Sequence, residues 1–130
     1  MPEKNKIKKN EKNDASLHLL MKDINDFLLE KKVKDIVIFD LSDIHSYFNF
    51  FIIGTALSPL HLKSTVRQMQ KHFGDRMPGK KSGFRAEDLE SGWVIVDFVD
   101  PVVHLFLEDE RKFYNLERLW GDAKRYSFTN

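Results

Sequence analysis

From Ser16 onward, apolar residues recur every three or four positions. Leu17, Leu20, Met21, Ile24, Phe27 and Leu28 form one stripe, the pattern of a helix that buries a single face. Lys31 and Lys32 suit its C-terminal end, where cations meet the negative pole of the helix dipole. The period then changes. Asp35-Ile-Val-Ile-Phe-Asp40 and Tyr47-Phe-Asn49-Phe-Phe-Ile-Ile-Gly54 are too continuously apolar for half-exposed strands, which predicts two central strands covered on both faces. Beyond Gly54, Ser58 is placed to accept from an orphan amide as an N-cap, and Pro59 fits the first helical position. The helix they start has Leu62, Val66, Met69 and Phe73 on its buried face and stops at Gly74. Residues 75–91 carry Gly79, Gly83, Pro78 and mixed charges, which predicts a loop or a short edge strand around Gly83-Phe84-Arg85.

Two more β-branched runs, Trp93-Val-Ile-Val-Asp97 and Val102-Val-His104-Leu-Phe106-Leu, meet at an Asp100-Pro101 corner and predict a hairpin-like pair. Symmetric pairing about that corner sets Asp97 opposite Val103 and Val96 opposite His104, so Asp97 and His104 are expected on opposite sheet faces. A terminal helix follows, from Glu110 to Trp120. On its wheel Phe113, Leu116 and Trp120 share a narrow arc, with Leu119 well to one side and Tyr114 to the other. That apolar surface is wider than one core needs. Either the domain buries the helix on two sides or a partner covers one of them, and Tyr and Trp are enriched where proteins meet. Helices interleaved with strands give an α/β fold, a single domain with helices on a small mixed sheet.

The chain has 130 residues and is 42% apolar, enough for one independent core. Its 21 Lys and Arg against 20 Asp and Glu exclude a protein that coats DNA by bulk positive charge. With no cysteine, disulfides, thiolate zinc sites and a cysteine nucleophile are excluded. Residues 1–14 are polar, with five lysines and almost nothing apolar, and read as a disordered extension; the alternative is a tail whose lysines touch RNA. The domain is expected over residues 15–121, with a flexible end over 122–130, frayed from Tyr126. No apolar run reaches the roughly 18 residues of a membrane span and no signal-peptide segment follows the tail, so a cytoplasmic location is expected.

Gly74-Asp-Arg-Met-Pro-Gly79-Lys80-Lys81 nearly spells a phosphate-binding loop, but Lys81 replaces the hydroxyl that would ligate magnesium, and the segment follows a helix where the motif needs a strand. It reads as a surface loop, with Arg76, Lys80, Lys81 and Arg85 available for a minor RNA-backbone contact. Asp97, Asp100 and His104 are the residue types of an acid–base pair or a cation site. Strand alternation separates them, so His104 reads as a strand histidine satisfied by a backbone or carboxylate hydrogen bond. His18, His45, His61 and His72 show no metal-binding spacing. No catalytic residue, metal or cofactor is expected.

Taken in order, Asp35–Asp40, Phe50-Phe-Ile-Ile-Gly54-Thr, Ser58 with His61, Trp93-Val-Ile-Val-Asp97, Val103-His104-Leu-Phe and Arg111 through Trp120 resemble the ribosomal silencing factor (Iojap) family over nearly the whole chain. The resemblance implies an α/β fold related in topology to nucleotidyltransferases but without their chemistry. It also implies binding to the large ribosomal subunit through ribosomal protein L-fourteen, which blocks joining of the small subunit when nutrients are scarce. Organellar relatives act in ribosome assembly, and free family members commonly form homodimers. The alternatives are an assembly factor and a nucleotidyltransferase-like enzyme. Three positions depart from the family pattern: Asn49 for the usual Asp, Val99 for the usual Gly, and Pro101 after Asp100. The partner surface is expected at Trp93, Asp97, Asp100, His104, Phe106, Arg111, Tyr114, Leu116, Leu119 and Trp120.

The polar tail generates the first prediction. Deleting residues 1–14 is expected to leave thermal stability and large-subunit binding unchanged at physiological salt. A tenfold loss of binding that disappears at high salt is the signature of a tail that grips RNA.

Overall fold

Helix α1, Pro2–Glu30, buries Met21, Ile24, Phe27 and Leu28, the stripe expected from the spacing, with Leu17 and Leu20 packed at its margin. It starts fourteen residues earlier than the apolar pattern, at Pro2 instead of near Ser16, so the computed structural model continues the helix through the segment read as an unstructured extension. Lys and Glu propagate a helix well, no glycine interrupts Pro2–Glu30, and extending a helix that packing has nucleated is inexpensive. The structure describes residues 2–44, 49–77 and 86–128. At the C-terminal end of α1, Val33 donates to the carbonyl of Leu28 and Lys32 to that of Leu29, both at 3.0 Å, with Lys32 at φ 68°. This is the paired-bond stop of a helix, made here with a lysine in the left-handed position that glycine usually takes.

Strands β1 (Lys34–Asp40) and β2 (Phe50–Ala56) pair antiparallel, and β2 runs parallel to β4 (Val102–Leu107), which pairs antiparallel with β3 (Trp93–Asp97). The two-residue β5 (Lys124–Arg125) closes the far edge, giving the mixed order β3-β4-β2-β1-β5. Only β2 is the doubly covered central strand expected of both runs. β1 has β5 alone beside its second half, and its first residues are exposed. Tyr47 and Phe48, expected in β2, and the edge strand expected at Gly83-Phe84-Arg85 lie outside the described residues.

Helix α2, Pro59–Phe73, starts as its sequence directs: Ser58 Oγ accepts from the amide of His61 at 3.0 Å. His61 adds a clamp, accepting from the Leu57 amide at Nδ1 (2.8 Å) while Nε2 bonds the Lys31 carbonyl, which ties this corner to the end of α1. Leu62, Val66, Met69 and Phe73 are buried as predicted. Gly74 does not end α2 in a left-handed cap; at φ −52° it stays right-handed and leads into a 3₁₀ turn, Gly74–Arg76. Helix α3, Ala86–Glu90, stands within the segment expected to be loop.

The sheet separates two cores. On one face α1 and α2 pack against Ile38, Ile52, Val94, Val96, Val103 and Leu105. On the other, Phe39, Phe51, Ile53, Val102 and Phe106 are covered by Leu116, Trp120 and Ala123. This second layer is thin because the terminal helix is broken. Helix α4 (Glu108–Tyr114) and helix α5 (Leu116–Leu119) meet at Asn115, which sits at φ 46° and accepts from the Arg118 amide to cap α5. The continuous helix expected over Glu110–Trp120, and the shared arc drawn on it, therefore do not hold. In the stretch expected to fray from Tyr126, contacts reach as far as Phe128. After β5, Tyr126 donates its amide to Ile38, its hydroxyl meets His18, and Tyr126 and Phe128 stack edge-on against His18 and each other.

At the corner between β3 and β4, Phe98 donates to the Pro101 carbonyl at 3.3 Å, the Asp100–Pro101 peptide is cis, and Val99 sits at φ 70° with its side chain 59% exposed. A β-branched residue is strained in that backbone region, and an exposed valine has little burial to lose. Val99→Gly is therefore expected to stabilise the fold by about 1 kcal/mol after glycine's added unfolded-state entropy is subtracted, raising the melting temperature by ~3 °C. Calorimetry checks it, and an unchanged or lower melting temperature means that the corner is not strained at Val99.

Candidate functional site: an aromatic ladder on the open sheet face

Strand pairing decides what the site is. β3 and β4 pair with Val96 opposite Val103, Ile95 opposite His104 and Asp97 opposite Val102. This is one residue away from the symmetric register, and a slip of one reverses the face of every side chain. Val94, Val96, Val103 and Leu105 all need the α1/α2 core, and this register is the one that buries the four together. Asp97 and His104 consequently share a face, contrary to expectation. They form no acid–base pair there: the Asp97 carboxylate accepts from the Val99 amide at 2.6 Å and His104 turns to Trp93.

His104 is 5% exposed. Its Nδ1 accepts from the Trp93 indole N–H at 3.1 Å, in place of the backbone or carboxylate partner expected. A neutral imidazole that accepts at one nitrogen carries its proton on the other. That nitrogen, Nε2, is buried and has no hydrogen-bond partner among the described residues. The ring is enclosed by Phe51, edge-on at 4.6 Å between centroids, and by Phe106. Burial in this apolar cage pushes its pKa down from 6.5 to about 4.

From His104 the aromatic groups climb outward. Trp93 is half-buried and stacks on Phe106 at 5.1 Å and 25°; Tyr114 lies 4.6 Å from Trp93 and is 45% exposed; Phe113 meets Tyr114 edge-on at 5.1 Å and is 80% exposed. Ile95 (46%) on the same sheet face and Leu119 (68%) on α5 add exposed apolar surface. The break at Asn115 makes this possible, because it lets Leu116 enter the core while Phe113, its neighbour on the expected wheel, stays outside.

The other residues expected at the site are engaged by the fold. Phe106 and Leu116 are buried, and Trp120 is half-buried, edge-on to Phe51. Arg111 donates to Glu117 (2.8 Å), the Asp35 carbonyl (2.6 Å) and Thr55 Oγ1 (2.8 Å), joining α4, α5, β1 and β2. Asp100 accepts from the Asn49 amide group at 2.7 Å and the Phe50 amide at 3.1 Å. Burial raises its pKa, opposed by these hydrogen bonds. The departure at Asn49 is thus coupled to the corner, since it supplies a donor where an aspartate would present a second carboxylate. Phe113 and Ile95 were missed in the sequence. A phenylalanine on a helix and an isoleucine in a strand carry no sign of exposure until the helix break and the edge position of β3 are known.

Among the described residues, no three His, Asp or Glu side chains group to hold a metal ion, and no helix is long and apolar enough to cross a membrane. The sequence model of a family described as ribosomal silencing factor during starvation matches residues 13–130. The chain belongs to that family. Ribosomal silencing factor RsfS of Bacillus subtilis (strain 168) is 35% identical over 96 residues, covering 72% of this chain and 78% of that protein. The Mus musculus protein named mitochondrial assembly of ribosomal large subunit protein 1 is 34% identical over 98 residues, covering 72% of this chain and 41% of its own length. A crystal structure of a Chromobacterium violaceum protein superposes with a TM-score of 0.64 at 28% identity, covering 88% of this chain and 92% of that one. The silencing-factor family is thus matched in both sequence and fold, and the aromatic ladder lies within the matched residues.

Burial of His104 makes stability depend on pH. The folded state holds the ring neutral down to about pH 4, whereas the unfolded chain protonates near 6.5. This contribution is complete above pH 6.5 and lost as pH falls towards 4, reaching about 3 kcal/mol. Asp100, with its raised pKa, gives the opposite slope and favours the fold as pH falls. In urea titrations His104→Gln is expected to flatten the loss between pH 6.5 and 4.5. An unchanged slope in that variant assigns the acid sensitivity elsewhere.

Proposed function

We propose that this protein is a ribosomal silencing factor whose recognition face is the aromatic ladder. It docks on the large ribosomal subunit in the cytoplasm, through ribosomal protein L-fourteen, and bars the small subunit from joining, which lowers translation when nutrients are scarce. The observation that carries this reading is the outward climb from His104 through Trp93 and Tyr114 to Phe113, with Ile95 beside Trp93 on the same sheet face. A contiguous apolar and aromatic patch at the edge of a sheet is what a protein partner covers, and tyrosine and tryptophan are the side chains that dominate such contacts. Trp93, Tyr114 and Leu119 are the interface residues retained from the sequence; Phe113 and Ile95 join them. In the free protein a homodimer covers the same face.

The action is steric. The side chains with acid–base chemistry are occupied, Asp97 by the Val99 amide, Asp100 by Asn49 and Phe50, and His104 by Trp93. A nucleotidyltransferase-like activity would draw on these same carboxylates, which here serve the corner between β3 and β4. A role in building the large subunit is the second reading, favoured by the name of the Mus musculus relative.

Sedimentation separates the readings. Purified protein is expected to shift ribosomes from joined particles to free subunits, pelleting with the large one and consuming no nucleotide; joined particles that persist at saturating protein sink the proposal. An assembly role predicts precursor large subunits on depletion, with joining unaffected. Tyr114→Ala is expected to weaken large-subunit binding by about thirtyfold, the ~2 kcal/mol of a central aromatic anchor, with the unfolding transition intact. Full affinity in that folded variant places the interface elsewhere.

A further inference from the structure

His104 is too deep for a partner to touch, yet it carries the one buried polar side-chain atom without a partner among the described residues. A buried N–H left unpaired destabilises a fold, typically by as much as a good hydrogen bond contributes. An apolar ring of similar size would fill the same cage of Phe51, Phe106 and Trp93 without that penalty. What phenylalanine could not supply is the lone pair on Nδ1, which receives the Trp93 indole.

We propose that His104 is the positioning residue of the recognition face: its Nδ1 lone pair fixes the rotamer of Trp93, Trp93 in turn seats Tyr114, and a proton on that nitrogen dismantles the platform. The inference rests on the reading of the aromatic ladder as the interface. The geometry gives the chain of support. Trp93 is half-buried, stacked on Phe106 on one side and packed against Tyr114 on another, and its single polar atom is pinned to His104. An indole N–H only donates, and a doubly protonated imidazole only donates, so the two cannot remain bonded once Nδ1 is protonated.

The surroundings offer the imidazolium no compensation. Among the described residues no carboxylate bonds the ring, whose hydrogen-bond partner is Trp93, and Asp97, on the same face of β3, turns to the Val99 amide. From β2 the ring faces Phe51; from α4 it is reached through Trp93 by Tyr114, a neutral phenol; Glu117 of α5 is paired with Arg111. A charge on His104 therefore has no opposite charge to meet, and relief comes by moving Trp93 and admitting water. The recognition face is built only when His104 is neutral.

The test compares two substitutions in a Trp120→Phe background, so that the single indole N–H proton resonance belongs to Trp93. His104→Phe keeps the volume and removes the acceptor, whereas His104→Gln removes the titrating ring and keeps a carbonyl acceptor. At pH 7.5 His104→Phe is expected to move the Trp93 resonance towards that of a solvent-exposed indole and to weaken binding to purified large subunits by about tenfold. Its melting temperature is expected to match or exceed the parent's, because the unpaired N–H is gone. His104→Gln is expected to restore most of the affinity. On acidification from pH 7.5 the parent's Trp93 resonance is expected to follow the His104 ring signals, and in His104→Gln to stay fixed.

Unchanged affinity and an unchanged indole resonance in His104→Phe overturn the proposal. Equal loss of affinity in both variants also overturns it, since volume or packing would then be the cause. If the parent protein fails to bind large subunits while the indole resonance still depends on residue 104, the positioning of Trp93 stands and the ribosomal reading of the face falls. If the variants fail to fold cooperatively, the ring is structural and the positioning role is rejected.

Discussion

The pairing of Ile95 with His104 is the constraint on which the rest of this structure depends. It is set from the opposite side of the sheet, where Val94, Val96, Val103 and Leu105 must all face α1 and α2 to close the larger core. Once those four are committed, strand alternation leaves no choice: Trp93, Ile95, Asp97, His104 and Phe106 go to the other face. The hydrophobic effect acting on one layer thereby builds the proposed recognition surface on the other. A pairing shifted by one residue would have turned the histidine and Phe106 into the main core and left valines outside.

Periodic features were legible in the chain. The stripe of α1 and the Ser58–Pro59 start of α2 follow from spacing and capping chemistry alone, and both are found where they were expected. What was not legible hangs on single residues. The register at the corner depends on Phe98–Pro101 forming the connection, which sequence symmetry about Asp100 could not show. The break at Asn115 is one residue entering the left-handed region within a helical pattern, something asparagine tolerates but does not announce. Tyr126 and Phe128 dock on α1 although nothing periodic surrounds them, because two aromatic rings suffice once β5 has brought the backbone alongside β1. At the candidate site the chemistry-bearing residues were identifiable by type, but their accessibility was not. His104, Phe106 and Arg111 are drawn inward, while Phe113 is pushed out.

Departures from local rules are spread over the molecule: Lys32, Asp35, Val99 and Asn115 hold a positive φ, and His104 keeps a buried donor unpaired. Of these, the one at the aromatic ladder is His104, and Asn115 breaks the helix beside it. The exposed ion pairs, such as Lys22 with Asp26 and Lys112 with Glu108, contribute little, since water and salt screen them.

The clasp between His18 and the Tyr126–Phe128 segment joins parts of the chain 108 residues apart. Tyr126 also lines a hollow with Leu17 and Met21, so this flank of α1 stays open during synthesis until that segment has emerged. The sheet is likewise missing its last strand until Lys124 and Arg125 can reach β1. Most of the fold is local enough to form as it appears, but closure waits for the latest segment. A nascent chain that has not yet reached Phe128 therefore carries an unfinished domain, with this flank of α1 and the outer edge of β1 still open.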